Sequence, residues 1–444
     1  MKNILILGAG LSATTMIKYL LEQSTEHNWK LRIGDQTEEL VIQKTKNHPN
    51  SEAFSFDVNN HTQLNAEVEK ADVVISFLPA RFHHIAAAAC VLNSKHMITA
   101  SYVSPEMKTL DKEAKEKNIC LWNELGVDPG IDHMSAMKIV DEIKEKGGKI
   151  ISFKSNTGGL VAPEYDNNPW NYKFTWNPRN VVLAGQGTAM FIRNGKYKYI
   201  PYTKLYERIE HTEVLEYGKF EIYPNRDSLS YRQTYGLEDI PTILRGTMRR
   251  PGYCRAWNVF VQLGMTDDSY EVADLEDMTY RDFVNAFLPY DKTTPVEKKL
   301  QQYLPNKIDE NIMQKIKWLG LFEDKKIGLT KATPAQVLQH ILEKRWALEE
   351  QDIDMIVMQH KIQYELNNNT HEVVSSLVVK GEDKENTAMS ITVGMPVAIA
   401  TKLLLTEKLH MPGVQVPTNK LMYQPILDEL ETIGIEFIEE ETTL

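Results

Sequence analysis

The sequence predicts an α/β protein with three parts: an N-terminal doubly wound parallel sheet, a second α/β domain and a small helical subdomain. Two observations carry this prediction. Strand-like apolar runs alternate with helical periodicity through the N-terminal part of the chain, which is typical of a parallel sheet with crossover helices. The length of 444 residues also exceeds what one hydrophobic core usually organises.

The N-terminal region begins with one strand–helix–strand unit. Ile4 to Leu7 form a short apolar run, helical spacing follows Gly10, and Leu31 to Gly34 form a second strand. A parallel pair with its crossover helix needs about thirty residues, which this unit supplies. Further elements are predicted as strands near 53–57, 73–78, 96–99 and 119–122 and as a helix over 85–92.

The pattern changes at Asp128-Pro129-Gly130, where we expect a helix capped by Asp128 with Pro129 at its first position. A second α/β domain follows, and helical patterns then occupy residues 275–349. The remaining predicted elements are helices over 280–287, 295–303 and 334–347, strands over 356–365 and 372–379, and a helix over 396–405 preceded by a strand and a glycine.

Charge and cysteine content argue against several kinds of partner. A formal net charge of −11 without a long Lys/Arg run is unlike a nucleic-acid-binding protein, and we predict no transmembrane segment. Cys90, Cys120 and Cys254 are widely spaced and include no CxxC pair, which fits reduced thiols rather than disulfides or a zinc site. We therefore expect a cytoplasmic protein with no metal, no nucleic acid and no membrane partner.

The segment Gly8-Ala9-Gly10-Leu11-Ser12-Ala13 is the GxGxxA variant of the dinucleotide-binding fingerprint. Gly8 permits the tight turn, Gly10 lets the backbone approach a pyrophosphate, and Ala13 allows close packing of helix on strand. The following helix presents unpaired N–H groups and its positive dipole end to the phosphates. The motif alone is a weak signal, but the flanking strand and helix agree with it, so the sequence predicts a Rossmann domain that binds NAD or NADP.

Asp35 closes the second predicted strand, where a carboxylate can bind the adenosine ribose hydroxyls and would repel a 2′-phosphate. No arginine follows it, since the next residues are Gln36-Thr37-Glu38-Glu39. This favours NAD over NADP, and a solvated loop aspartate is the alternative. Asp57, at the end of another predicted strand, is a weaker candidate for the adenine edge.

Two polar clusters follow strand ends of the predicted sheet. Ala100-Ser101-Tyr102-Val103 places a hydroxyl and a phenol on the ligand side, although a core tyrosine and a capping serine are an alternative. Residues 123–133 bring acids, glycines and His133 to a domain junction, where a catalytic acid or base is plausible. Here the alternatives are an N-capping role for Asp128 and a structural role for His133.

Arginines make up the third cluster. Pro224-Asn225-Arg226-Asp227-Ser228 and the stretch 244–250 carry guanidinium groups, which bind carboxylates bidentately. Two such groups suit a substrate with several carboxylates. Surface ion pairing is the alternative, and we favour it for Arg245 and Arg250.

Taken together, these stretches resemble the glutamate-forming saccharopine dehydrogenases (saccharopine reductases) of lysine metabolism, over nearly the whole chain. The likeness rests on Gly8-Ala9-Gly10, 100–103, 128–133, Gly158-Gly159-Leu160, 168–176, 224–229 and 245–249. Residues 387–394 are similar to a family segment too, which implies that the end of the chain returns to the dinucleotide-binding domain.

The resemblance implies oxidation of saccharopine at its secondary-amine carbon by hydride transfer, then hydrolysis of the imine to L-glutamate and 2-aminoadipate 6-semialdehyde, or the reverse condensation. It also implies a homodimer. The expected domains are a Rossmann domain of residues 1–127 with 390–444, a substrate-binding and dimerisation domain of residues 128–274 with about 350–389, and the helical subdomain of residues 275–349.

The same likeness assigns roles to individual residues. Tyr102 and Asp128 orient the amine or assist proton transfer, while Arg226 and Arg249 hold carboxylates. The expected substrate contacts are Ser101, Tyr102, Asp128, Arg226, Thr247, Met248 and Arg249. The expected dinucleotide contacts are Gly8, Gly10, Leu11, Ser12, Asp35, Asp57, Val58, Leu78, Ala100, Ser101, Leu125, Gly126, Val127 and Trp176.

Two departures qualify the resemblance. Fungal members carry a cysteine just before the Gly-Gly pair, whereas this chain has Thr157, so no role of that thiol transfers. With Asp35 at this position the chain resembles the NAD-using plant and animal members rather than the NADP-using fungal ones. The alternative functions are oxidation of another carboxylated secondary amine, such as a polyamine precursor, and catalytically silent dinucleotide binding.

Overall fold

The computed structural model describes residues 1–304 and 308–444. It divides into two compact units: unit 1 comprises Met1–Lys149 and Leu377–Ile438, and unit 2 comprises Ile150–Ser376 and Glu439–Leu444.

The first part of unit 1 alternates strands and helices, as the sequence predicts. Its strands are β1 (Lys2–Leu7), β2 (Trp29–Asp35), β3 (Ser51–Ser55), β4 (Val73–Ser76), β5 (His96–Thr99) and β6 (Cys120–Trp122). Its helices are α1 (Thr14–His27), α2 (Glu38–Thr45), α3 (His61–Glu69), α4 (His83–Leu92), α5 (Pro105–Thr109), α6 (Asp111–Glu116) and α7 (Ile131–Glu145).

Unit 2 combines strands with a run of helices. The strands are β7 (Lys149–Val161), β8 (Thr188–Arg193), β9 (Lys196–Pro201), β10 (Glu210–Glu213), β11 (Lys219–Pro224), β12 (Ile243–Arg249), β13 (Asp354–Leu366) and β14 (Asn369–Lys380). The helices are α8 (Pro178–Val182), α9 (Tyr202–Leu205), α10 (Tyr231–Thr234), α11 (Tyr253–Leu263), α12 (Tyr280–Ala286), α13 (Val296–Tyr303), α14 (Glu310–Trp318) and α15 (Pro334–Trp346).

The C-terminal segment supplies α16 (Ala388–Leu405), β15 (Gly413–Gln415), α17 (Lys420–Thr432) and β16 (Ile438–Thr443). Short 3-10 helices occur at Leu11–Ala13, Ala80–Phe82, Pro163–Tyr165 and Leu215–Tyr217.

The sheet of unit 1 confirms the predicted fold class. Its seven strands lie in the order β15-β6-β5-β4-β1-β2-β3, and all their pairings are parallel. The order reverses between β1 and β4, because the chain winds first to one side of β1 and then to the other. Ligands bind such sheets beyond the carboxyl ends of the strands at this reversal, where Gly8 follows β1 and Phe77 follows β4.

The sheet of unit 2 is mixed. Its main path runs β10-β11-β12-β7-β13-β14-β16, with β8 attached to β12 and β9 attached to β8. β12 runs parallel to β7 and antiparallel to β11. Residues 244–249 of the arginine-bearing stretch therefore lie on a strand inside this sheet, and Arg250 directly follows it.

The helical region expected over residues 275–349 lies within unit 2, and its residues 305–307 fall outside the described part of the chain. α12, α13 and α15 agree with the three predicted helices to within one or two residues. The Trp346 ring at the end of α15 packs edge-on against Trp170, with ring centroids 5.3 Å apart. These helices therefore share an aromatic core with the rest of the unit.

The boundaries of unit 1 differ from the predicted ones. The first segment extends to Lys149 rather than ending at residue 127, because α7 packs against α17, where Tyr423 Oη donates to Asp141 Oδ2 at 2.7 Å. The C-terminal return begins at Leu377 rather than at residue 390, and the last six residues join unit 2.

The strand predicted before residue 396 was wrong, because residues Ala388–Leu405 form one helix. Thr387 caps this helix by accepting from Ser390 N, and Gly394 allows it to approach α1 closely, since a Cβ there would lie 3.1 Å from Met16 Cβ. By length and composition α16 is apolar enough to cross a membrane, but 78% of it is buried. It packs on α1 as a core helix of unit 1.

Candidate active site

The glycine loop has the geometry that its sequence predicts. Gly8 has φ +96°, and a Cβ at this position would lie 2.8 Å from the Phe77 carbonyl oxygen, so a side chain is excluded. Gly10 is exposed, and a Cβ there would meet no heavy atom within 4 Å. The backbone at Gly10 is therefore open to a ligand, with Leu11 and Ser12 forming the turn that leads into α1.

Asp35 ties the second strand to this loop. Its Oδ2 accepts from Ala9 N at 2.7 Å and its Oδ1 accepts from Thr37 N at 3.1 Å. A carboxylate fixed in this way presents its remaining lone pairs at the edge of the glycine loop, where ribose hydroxyls bind in Rossmann domains. These features fit a nicotinamide dinucleotide.

Lys44 is a residue of this region that the sequence analysis missed. Its Nζ donates to Gly10 O at 2.6 Å and to Thr14 Oγ1 at 2.7 Å, so it holds the loop from the side of α2. Burial lowers the pKa of Lys44 to about 8, and the nearby carboxylates of Asp35 and Glu385 oppose that shift. Only the folded structure shows this contact, because no pattern in the sequence of α2 indicates that Lys44 reaches Gly10.

The other residues expected near the adenine differ in exposure. Asp57 is exposed, and its Oδ1 accepts from the backbone and side-chain nitrogens of Asn59, each at 2.9 Å. Val58 is 5% exposed within the apolar core of unit 1, and Leu78 packs against that core. Asp57 thus remains available at the surface, whereas Val58 contributes mainly to packing.

Tyr102 and Asp128, the two residues to which the resemblance assigns roles at the amine, lie together. Tyr102 Oη donates to Asp128 Oδ1 at 3.2 Å, and the Tyr102 side chain is 46% exposed. Asp128 is not the N-cap of α7, which corrects the capping prediction: the helix begins at Ile131, and Gly130 precedes it with φ +148°. The Asp128 carboxylate therefore lies outside the helix, beside the phenol.

A buried pair supports these two loops from below. Glu124 Oε1 accepts from Val103 N at 3.0 Å, and Glu124 Oε2 lies 2.8 Å from His133 Nε2. Glu124 is 7% exposed and His133 is 0% exposed. The pair connects the loop of Tyr102 to the first turn of α7. This contact favours the structural role for His133, which is the alternative to a catalytic one.

The predicted dinucleotide contacts at the ends of β5 and β6 form a tightly packed backbone layer. Leu125 N donates to Thr99 O at 3.3 Å, and a Cβ on Gly126 would lie 3.1 Å from Ala100 Cβ. Leu125 and Val127 are buried. This layer sets the position of Ser101 and Asp128 at its rim.

Ser101 has a partner that the sequence analysis missed. Its Oγ lies 2.6 Å from His83 Nε2, and the other ring nitrogen of His83, Nδ1, lies 2.8 Å from Ser76 Oγ. His83 is 4% exposed, and burial lowers its pKa to about 4. The local sequence around His83 gives no signal for this contact, because Ser101 lies 18 residues further along the chain.

In unit 2, Arg226 projects from a turn. The residue is exposed with φ +36°, and its guanidinium makes no ion pair or hydrogen bond with any residue of ranges 1–304 and 308–444. An exposed cation without a protein partner suits a carboxylate ligand.

Arg249 is buried instead. Its side chain lies among the rings of Tyr172, Tyr223 and Tyr253, at 5.1, 5.8 and 5.4 Å from the guanidinium carbon. Its Nη1 donates to Met248 O at 2.8 Å, while Nε has no hydrogen-bond partner among the residues that the structure describes. Throughout the described part of the chain, no carboxylate lies within ion-pairing distance of Arg249.

Arg245 is buried rather than at the surface, where the ion pairing favoured for it was expected, and Arg250 is only partly exposed. Arg245 is 5% exposed, and its guanidinium lies 4.0 Å from the Tyr231 ring centroid. Arg250 is half-buried and donates to Tyr217 O at 2.7 Å. Both arginines contribute to packing on β12 and at its end.

Thr247 and Thr157 are register partners in the parallel pair β12–β7. Thr157 is 8% exposed, and its Oγ1 has no hydrogen-bond partner within residues 1–304 and 308–444. Met248, on the opposite face of β12, is fully buried, and Trp176 is half-buried elsewhere in unit 2. The three cysteines are buried, and the described residues contain no group of three or more His, Cys, Asp or Glu placed to hold a metal.

A doubly wound sheet with an open glycine loop, a carboxylate held against that loop and a tyrosine–carboxylate pair at the strand ends is typical of a nicotinamide-dinucleotide-dependent oxidoreductase. Comparison with known proteins gives the family. The saccharopine dehydrogenase NADP-binding domain matches residues 4–121, and the saccharopine dehydrogenase C-terminal domain matches residues 126–435. The chain belongs to the saccharopine dehydrogenase family.

Similar proteins extend over the whole chain. The saccharopine dehydrogenase [NADP(+), L-glutamate-forming] of Schizosaccharomyces pombe is 33% identical over 99% of both chains. The mitochondrial alpha-aminoadipic semialdehyde synthase of Mus musculus is 33% identical over 99% of this chain and 48% of its own. The apo saccharopine dehydrogenase (L-Glu forming) of Saccharomyces cerevisiae superimposes with a TM-score of 0.91 and 31% identity, covering 100% of both chains.

Proposed function

We propose that this protein oxidises saccharopine at its secondary-amine carbon to give, after hydrolysis, L-glutamate and 2-aminoadipate 6-semialdehyde, and that it also catalyses the reverse condensation. The observation that carries the proposal is the Tyr102–Asp128 pair. It stands at the strand ends of a Rossmann sheet, in a chain 33% identical over 99% of its length to a saccharopine dehydrogenase.

A bound dinucleotide supplies the hydride acceptor, and the chain must manage charge and protons. The amine has to lose a proton before its neighbouring carbon gives up hydride, and water must then add to the imine carbon. Asp128 accepts a hydrogen bond from the Tyr102 phenol. The Asp128 carboxylate stabilises the positive charge that develops on nitrogen, and Tyr102 orients the amine.

Carboxylate recognition falls to unit 2. Saccharopine carries three carboxylates, and the exposed Arg226 guanidinium has no protein partner within the described ranges 1–304 and 308–444. Arg249 is a buried cation for which the same ranges offer no counter-charge. A planar guanidinium binds a carboxylate through two parallel hydrogen bonds, so each arginine suits one acidic group of the substrate.

We propose NAD as the preferred cofactor, although several similar proteins carry NADP(+) in their names. Asp35 is held by Ala9 N and Thr37 N, so its charge cannot easily turn away from a 2′-phosphate. The nearest cation on α2, Lys44, is bonded to Gly10 O and Thr14 Oγ1. The Nζ of Lys44 is thus already engaged by the loop and by the first turn of α1, which argues against its binding an added phosphate.

Two further parts of the proposal rest on family likeness and on cysteine content. We propose a homodimer, which light scattering distinguishes from a 50.9-kDa monomer. We also propose a cytoplasmic location, because the three cysteines are free thiols.

The test mixes purified protein with saccharopine and either NAD or NADP and follows reduced-nicotinamide absorbance. We expect turnover with NAD preferred, loss of most turnover in Asp128→Asn, and a gain of NADP use in Asp35→Ser. Preference for NADP in the wild type would refute the Asp35 argument alone. Dinucleotide binding without turnover of saccharopine would favour another carboxylated secondary amine or a silent binding protein.

A further inference from the structure

His83 joins the ends of two neighbouring strands of the unit 1 sheet. β4 ends at Ser76 and β5 ends at Thr99, and these two residues are register partners. From the first turn of α4, His83 places Nδ1 2.8 Å from Ser76 Oγ and Nε2 2.6 Å from Ser101 Oγ. Both nitrogens of the ring are therefore engaged by serine hydroxyls.

The His83 ring is neutral at ordinary pH, since burial lowers its pKa to about 4. A neutral imidazole has one donor nitrogen and one acceptor nitrogen, so the hydroxyls at its two ends take opposite roles. The tautomer thus determines whether Ser101 Oγ offers a proton or a lone pair on its open side. Ser101 is half-buried and directly precedes Tyr102.

The Ser101 backbone does not depend on His83. Ser101 N donates to Thr99 Oγ1 at 3.3 Å, and Ser101 O accepts from Glu124 N at 3.0 Å. Thr99 Oγ1 is itself fixed, because it donates to Ser76 O at 2.8 Å. The property of Ser101 that His83 controls is consequently the direction and sense of its hydroxyl.

We propose that His83 is a positioning residue of the active site, which orients the Ser101 hydroxyl toward the ligand beside the Tyr102–Asp128 pair. This inference rests on the proposed function, because it assigns His83 to the oxidation of saccharopine. His83 acts through Ser101 and does not itself contact the substrate.

Two substitutions of similar shape separate this role from simple packing. The asparagine amide reaches about as far as the Nδ1 of histidine, and the glutamine amide about as far as Nε2. His83→Asn therefore keeps a partner for Ser76 and abandons Ser101, whereas His83→Gln keeps a partner for Ser101. We expect kcat/KM for saccharopine to fall about tenfold or more in His83→Asn and by less than about threefold in His83→Gln.

Ser76→Ala is the matched control, because it removes the inner hydrogen bond and leaves the contact between His83 and Ser101. It should behave like His83→Gln, and it replaces His83→Asn as a test if that variant does not fold. The double variant Ser101→Ala/His83→Asn should be no slower than Ser101→Ala alone, because both changes remove the same contact. Thermal unfolding of every variant reports any separate loss of stability.

The outcomes are distinguishable. Equal losses in His83→Asn and His83→Gln, a loss in Ser76→Ala as large as that in Ser101→Ala, or full additivity of His83→Asn with Ser101→Ala would overturn the inference. Absence of saccharopine turnover in the wild type would overturn the proposed function instead. The contact is then judged by ¹⁵N NMR of the His83 ring: an Nε2 shift that moves in Ser101→Ala supports the inference, and an unmoved one refutes it.

Discussion

Replacing Arg249 by methionine should stabilise the free protein and weaken its hold on saccharopine. Arg249 is 1% exposed and has no carboxylate partner in the described ranges of the chain. A buried cation costs several kcal/mol of desolvation unless a counter-charge accompanies it. The three tyrosine rings lie 5.1 to 5.8 Å from the guanidinium carbon, so they offset only part of that cost.

The magnitude follows from these opposing contributions. Methionine has a similar length and fills the same aromatic cage, so we expect a gain of about 1 kcal/mol in the free energy of unfolding of unit 2. That corresponds to about 2–4 °C in Tm for a unit of about 230 residues. If a carboxylate of saccharopine supplies the missing counter-charge, Arg249→Met removes the charge-assisted hydrogen bonds between that carboxylate and the guanidinium. This loss costs about 2–3 kcal/mol of binding free energy and raises KM by about 30- to 150-fold.

The assay measures Tm by differential scanning calorimetry, with and without saccharopine, and KM by reduced-nicotinamide absorbance. Arg245→Met is the matched control, because Arg245 lies on the same face of β12, is 5% exposed and stacks 4.0 Å from the Tyr231 ring centroid. It should lose stability, since that close cation–π contact goes, and it should keep KM within about threefold.

The opposite pattern would refute this reasoning. A fall of more than about 2 kcal/mol in the stability of Arg249→Met, with an unchanged KM, would make Arg249 a structural cation held by its tyrosine cage. The carboxylate role would then rest on Arg226 alone.

Three other predictions test separate parts of the site. Gly8→Ala should lower Tm and abolish NAD binding, because the new Cβ would lie 2.8 Å from the Phe77 carbonyl oxygen in a backbone with φ +96°. Gly10→Ala should leave Tm unchanged and lower only the affinity for NAD, which titration calorimetry measures. Arg226→Ala should raise the saccharopine KM by about 10- to 100-fold without changing Tm, and an unchanged KM would remove its carboxylate role. As the pH falls from about 6.5 to 4, the unfolded chain takes up a proton at His83, whereas the native state, in which the pKa of His83 is about 4, does not. The free energy of unfolding should therefore drop by up to about 3 kcal/mol in the wild type and by less in His83→Gln. Equal acid sensitivity of the two proteins would contradict the assignment.

The sequence was sufficient for the dinucleotide loop because its chemistry is local. Gly8, Gly10 and Asp35 act through the backbone turn and the strand end that they occupy, so spacing alone predicted the open loop and the carboxylate beside it. The strands around them are apolar on both faces, as a buried parallel sheet requires. Tyr102 and Asp128 came instead from family likeness, since 26 residues separate the two side chains.

Elements that depend on distant packing were missed or misread. α16 is buried on nearly all sides, so its residues lack the one-sided pattern that marks a surface helix, and its β-branched residues 391–393 imitate a strand. His83 carries no local signal, because its meaning comes from Ser76 and Ser101 on two other segments. Lys44 is equally silent until α2 brings it to Gly10.

The stretch 123–133 contains two kinds of residue: buried ones that hold the backbone in place, and Asp128, whose carboxylate lies at the rim. A Cβ on Gly130 would lie 2.0 Å from Gly126 O, so these two positions form a backbone crossing that tolerates no side chain at residue 130. Glu124 and His133 are already bonded to each other, and Glu124 also accepts from Val103 N, so the pair joins the Tyr102 loop to α7. The Asp128 carboxylate lies at the rim beside the Tyr102 phenol. On the proposed function Asp128 is the acid of this stretch that meets the substrate amine. Asp128→Asn should therefore remove catalysis, while Glu124→Gln should act mainly through the position of Tyr102.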